Sequence, residues 1–178
     1  MADLGELEEL KNLLAESPNL INSRDPDVSH VPLDLLLPIP TFPFHVIWIS
    51  QTGNAPLHIA AILDRVEVLR FLLEHKATVD ISDADGKSPL TAGALAGNMK
   101  VVDLLLAHGA QVSHAANNGL TPFIAACWRG RLKVAQALLH AGADIHQLNN
   151  DGNSALTMAQ RWSHDNVVEW LVAMGVSP

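Results

Sequence analysis

The chain has 178 residues, 48% of them apolar, and a net charge of −8 with a single cysteine. That is one domain's worth of protein with ample material for a core, and its acid excess excludes the basic footprint of a nucleic-acid binder. Cys127 alone allows no intramolecular disulfide, which suits a reducing compartment.

The acid excess is concentrated at the start: residues 1–34 hold eight acids against two bases, whereas residues 35–178 hold eleven against nine. An N-terminus reading MADLGELEEL is neither a secretory signal nor a transit peptide, so the cytosol or the nucleus is the expected location. Aligned on the units that begin at Gly53, Gly5 corresponds to Asp64, Leu13-Leu14 to Leu72-Leu73 and Asp27 to Asp85. Residues 1–27 therefore read as the second helix and turn of a truncated unit, whose acidic outer face would cap a stack.

Residues 28–51 fit no such unit, and removing them brings the Gly5–Asp64 separation close to the period found below. Three readings of this apolar, proline-rich insertion stand side by side. It is a retained intron, since Val28-Ser29 can be encoded by a splice-donor sequence and Gln51 by an acceptor CAG. It is an apolar loop that meets a partner. Or it touches a membrane, although Pro32, Pro38, Pro40, Pro43 and Asp34 argue against a spanning helix.

From Gly53 onward a glycine returns every 33 residues, at Gly53, Gly86, Gly119 and Gly152. The residues behind each rhyme: GNAPLHIAA, GKSPLTAGA, GLTPFIAAC and GNSALTMAQ. The stretch from Gly86 serves as the example. Asp83-Ala84-Asp85-Gly86 is turn chemistry, Ser88 an N-cap and Pro89 a first helical residue, which predicts a helix over Pro89–Ala96. Gly97-Asn98 breaks it, and a second helix is predicted over Lys100–His108. Its apolar residues cover most of its circumference, which predicts a helix sandwiched between neighbours. Gly109 is placed to end it in the left-handed conformation; Gly142 repeats that role, while Lys76 stands there in the first unit. A period of this size marks a solenoid whose units bury their apolar faces on one another.

These motifs resemble ankyrin repeats, in the order G-x-T-P-L-H-x-A-A, helix, L-L-x-x-G-A-D-V. Four units are assigned, at 53–85, 86–118, 119–151 and 152–178, behind the partial one. The resemblance implies an all-α solenoid of stacked helix–turn–helix units joined by β-turn loops. Only the first unit keeps the motif histidine, His58; Thr91, Ile124 and Thr157 replace it, so the inter-repeat bonds the family builds there are not expected of those three.

Chemistry-bearing constellations are sparse. The H-x5-H pairs His108/His114 and His140/His146 lack the acidic or thiol partners of a metal centre, and no metal or cofactor is expected. Cys127 reads as a small core residue and His58 as an orienting hydrogen bond, and no phosphate loop or nucleophile elbow is present. The expected function is non-catalytic protein–protein recognition by a monomeric adaptor, scaffold or inhibitor. The alternatives are a fragment of a larger enzyme or membrane protein, or an enzyme using Cys127.

The resemblance implies that turn tips and first helices form a concave partner-binding surface. Carried over by position, it offers Ala84, Asp85, Lys87, Leu95 and Ala96, then Asn117, Asn118, Leu120, Trp128 and Arg129, then Asn150, Asp151, Asn153, Arg161 and Trp162. Trp128-Arg129 and Arg161-Trp162 occupy matching slots, and both residue types dominate binding hot spots. Arg129, Arg131 and Lys133 form a basic cluster with no acid between Asp103 and Asp144, which suits a partner with an acidic, partly apolar patch. The competing reading is that the tryptophans fill packing gaps and the charges are merely solvated.

Overall fold

Turn, cap and period together produce four helical hairpins. The structure is a computed structural model that describes residues 8, 11, 12, 15, 16, 18–23 and 53–177. Among these are eight α-helices and no strand: α1 (Pro56–Ile62), α2 (Val66–Glu74), α3 (Pro89–Ala96), α4 (Met99–Ala107), α5 (Pro122–Trp128), α6 (Leu132–His140), α7 (Ala155–Arg161) and α8 (Asp165–Ala173). Of the unit expected over residues 1–27, the described residues 8, 11, 12, 15 and 16 are helical and Pro18–Asn22 form a 3-10 turn. The rest of that unit, and the insertion expected over 28–51, lie outside the described residues.

Helix starts follow the cap chemistry. The hydroxyls of Ser88, Thr121 and Ser154 accept hydrogen bonds from the backbone N–H of Thr91, Ile124 and Thr157, at 3.3, 3.3 and 3.1 Å. Such a cap contributes about 1 kcal/mol. Ala55 has no hydroxyl, and the buried His58 ring takes over: its Nδ1 accepts from the Ala55 N–H at 3.2 Å. With Nδ1 accepting, Nε2 carries the proton and donates to the Lys87 carbonyl in the next repeat at 2.8 Å. Thr91 and Thr157 turn back instead onto their own capping serines, at 3.2 and 3.1 Å. His58 thus stitches two repeats together through the core.

The first helices pack in one row, α1 on α3 on α5 on α7, with each second helix against its own first; in the outer row α2 packs on α4 and α4 on α6. Residues Pro89–Ala94 of α3 are all buried, as are Pro122–Cys127 of α5. The second helix α4 is sandwiched as predicted, between α2 and α6 with α3 beneath it. It still buries fewer residues than α3: Val101, Val102 and Leu105 are buried and Leu104 and Leu106 half-covered, because its outer face meets solvent. Small residues make the inner row close-packed: Ala60, Ala61, Ala94, Ala125, Ala126 and Ala159 are fully buried.

A further stitch recurs where α4 and α8 begin. The Asn98 side-chain amide donates to the Ala61 and Ile62 carbonyls at 2.8 and 3.0 Å, and the His164 Nε2 to the Trp128 carbonyl at 3.0 Å. Each satisfies carbonyls that the end of the preceding repeat's first helix leaves without an intrahelical partner. At the other end of the stack, the Asn22 side-chain oxygen accepts from the Thr78 N–H at 2.9 Å.

Candidate functional site

The turns before the first helices are built by side chains that stand in for a backbone. The Asp83 carboxylate accepts the N–H groups of Asp85 and Lys87 at 3.0 and 2.8 Å, and Asn149 does the same for Asp151 and Asn153 at 3.0 and 2.8 Å. Ala116 occupies that slot in the middle turn and cannot, so Asn118 accepts from the Leu120 N–H at 3.1 Å. Successive turns are then tied edge to edge. Asn117 N–H donates to the Asp85 carbonyl at 2.9 Å and Asn150 N–H to that of Asn118 at 3.0 Å. Their side-chain amides donate across the same gap to the carbonyls of Ala84 and Asn117, at 3.3 and 2.9 Å.

Below this ladder the first helices end in two exposed rows, each spaced by one repeat: Ile62, Leu95, Trp128, Arg161, and Leu63, Ala96, Arg129, Trp162. Between turns and rows runs a groove of about 400 Å³. Its floor is Ile62, Ala92, Leu95 and Ala96; one wall is Asn54 with Asp83, Asp85 and Lys87, and the other is Arg129 and Arg131. The walls differ in charge balance. Lys87 Nζ lies 2.7 Å from Asp85 and 3.6 Å from Asp83, so the first wall is paired within itself. Among the described residues no carboxylate reaches Arg129, Arg131 or Lys133. The Arg131 side chain lies over Gly97, at the negative end of α3, where a Cβ would come within 2.6 Å of Arg131 Cδ.

Beyond Arg129 the rows turn aromatic. The Arg129 guanidinium sits over the Trp128 ring, 5.3 Å from its centroid, and the Trp128 and Trp162 rings meet at 6.2 Å and 58°. Trp128 is half-buried, held between Arg129 and Trp162, whereas Trp162 is 55% exposed. Arg161 leans away to donate to Asn153 Oδ1 at 3.3 Å.

The sequence-expected site residues therefore divide. Asp85, Lys87, Leu95 and Arg129 line one groove, and Trp128 and Trp162 with Arg161 extend it. Asn117, Asn118 and Asn150 are exposed but spend their amides or carbonyls on the turn ladder, and Asp151 projects from the last turn. Asn153 is half-buried beside Arg161. Leu120 is the correction: at 4% exposed it belongs to the core and offers nothing to a partner. Asp83, Ala92 and Ile62 escaped sequence reasoning, although Ile62 shares Leu95's slot and Ala92 lies one helical turn before Leu95.

Cys127 is buried on α5, and desolvation there pushes its thiol up to about 12. Among the described residues no three histidine, cysteine or acidic side chains gather as a metal site, and no helix is long and apolar enough to cross a membrane. A family model described as ankyrin repeats in three copies matches residues 5–116, 75–149 and 114–178. No curated protein matches the chain.

Proposed function

The chain belongs to the ankyrin-repeat family, whose repeats generally serve as protein–protein interaction modules, and on that premise we propose that it is a non-catalytic recognition module acting as an adaptor, scaffold or inhibitor. The partner docks on the groove side, over the turns and the ends of the first helices, and presents an acidic, partly apolar patch. The observation that carries this reading is the Trp128–Trp162 pair beside the groove, with Arg129 stacked on the half-buried Trp128 and the Trp162 ring exposed. Such aromatic and arginine anchors hold most interface energy. Affinity capture with the full chain and with Trp128→Ala/Trp162→Ala tests it. A partner bound directly by the full chain and lost by a variant with unchanged circular dichroism is expected; a partner retained by that variant overturns the placement.

The absence of a role for Cys127 in chemistry belongs to the same reading. Its burial and raised pKa support an inert thiol, because the thiolate is the nucleophile. A thiol probe at about pH 8 should label the folded chain far more slowly than the unfolded one, and labelling at the unfolded rate would reopen the enzymatic alternative. A cytosolic or nuclear location is part of the proposal, supported by the lone unpaired cysteine and checked by cell fractionation.

A further inference from the structure

We infer that the groove takes an extended peptide segment of a partner, with an Asp or Glu side chain seated on Arg129 and Arg131 and an apolar side chain following it over Trp162. This rests on the recognition reading above and adds the occupant's form and direction. The groove is an open concavity of about 400 Å³ with the small residues Ala92 and Ala96 in its lining, which leaves room for the side chains of a peptide segment. One wall is net negative, since the carboxylates of Asp83 and Asp85 share the single cation Lys87. The other is not: the two guanidiniums facing the groove have no carboxylate among the described residues. An arriving carboxylate therefore has one side of the groove to choose.

The direction follows from the rows. Toward the first repeat they are aliphatic, at Ile62 and Leu95; toward the last they are aromatic and cationic. Arg129 is pinned on Trp128 and held at the junction, so its free donor edges face a ligand with less conformational entropy left to lose. The exposed Trp162 ring, held against Trp128, supplies the next contact as a rigid apolar face. The setting strengthens the selection. Arg129, Arg131 and Lys133 lie in a stretch with no acid between Asp103 and Asp144, so an acidic segment meets no like charge from that part of the chain.

The test is a library of fluorescein-labelled peptides randomised around adjacent acidic and apolar positions, screened by fluorescence anisotropy against the full chain. Selected peptides should carry a carboxylate beside an aliphatic or aromatic residue, and affinity should fall at least ~10-fold when that carboxylate becomes an amide. The variant Arg129→Gln/Arg131→Gln should lose the preference for the acid, Trp162→Ala the preference for the apolar neighbour. Lys76→Gln/Lys100→Gln, which removes two charges from exposed positions outside the groove, should keep both. Selection of peptides without acids, or an unchanged preference in Arg129→Gln/Arg131→Gln, overturns the inference. The recognition reading fails separately. If the captured partner is lost by Trp128→Ala/Trp162→Ala but bound equally by Arg129→Gln/Arg131→Gln, recognition stands and the acidic peptide does not.

Discussion

The repeats starting at Gly53 and Gly119 hold the same backbone by different means. In the first, His58 is fully buried and holds both its own helix start and the Lys87 carbonyl of the next repeat. In the third, Thr121 caps the helix and Ile124, also fully buried, simply fills space. The first is a polar rivet, specific in direction and costly to break. The third relies on close packing and a local cap. A solenoid whose units each need only their neighbours can mix both solutions along one chain.

The largest test is to exchange the solutions. His58→Ile should cost about 2 kcal/mol in urea unfolding, because it strands the buried Ala55 N–H and leaves the Lys87 carbonyl with the Asp83 N–H alone. The reverse change, Ile124→His, should cost clearly less, since the Asn153 carbonyl stands in the slot that Lys87 fills for His58. Equal losses for the two would mean that the histidine acts by volume alone.

The turns sharpen the comparison. Gly119 has φ +76°, and a Cβ there would come 2.5 Å from Asn150 Oδ1 and 2.7 Å from its backbone nitrogen. Gly53, with φ +63°, would bring a Cβ to 3.2 Å from Ala84. Both alanine variants pay for left-handed backbone, but Gly119→Ala must also push the ladder apart. It should lose about 2 kcal/mol and exceed Gly53→Ala by thermal denaturation. Thr121→Ala should follow at about 1 kcal/mol, the loss of a cap. The smallest effect has the opposite sign. Lys76 takes φ +66° where Gly109 and Gly142 stand in the next repeats, so Lys76→Gly should raise stability by up to about 1 kcal/mol. No gain would mean that the strain is relieved elsewhere in the first repeat.

Most of the fold could be read from the sequence, because the period, the capping residues and the glycines all point to one answer. The helix expected over Pro89–Ala96 has those bounds, and the one expected over Lys100–His108 runs one residue earlier, at Met99–Ala107. What could not be read was that the first helices are covered more completely than the second: both rows have neighbours on their flanks, but only the outer row keeps a face to solvent. The nearness of Trp128 and Trp162 was legible from their places at the ends of adjacent first helices, and their rings meet. Exposure was illegible where a residue's direction depends on turn geometry. Leu120 follows Gly119 as Lys87 follows Gly86, yet its apolar side chain turns inward while its N–H is taken by Asn118. Asn117 and Asn150 look like free polar tips until the adjacent turn supplies their acceptors.

The turn ladder also bears on which kinds of change the chain can absorb. Its rungs join Ala84 to Asn117 and Asn117 to Asn150, residues a fixed count apart. Substituting one amino acid leaves that count intact, whereas adding or deleting a residue between two rungs alters the spacing of that gap alone. A unit of changed length within residues 84–150 must therefore absorb the difference in its own loops or lose the two bonds that tie its turn to the neighbouring one.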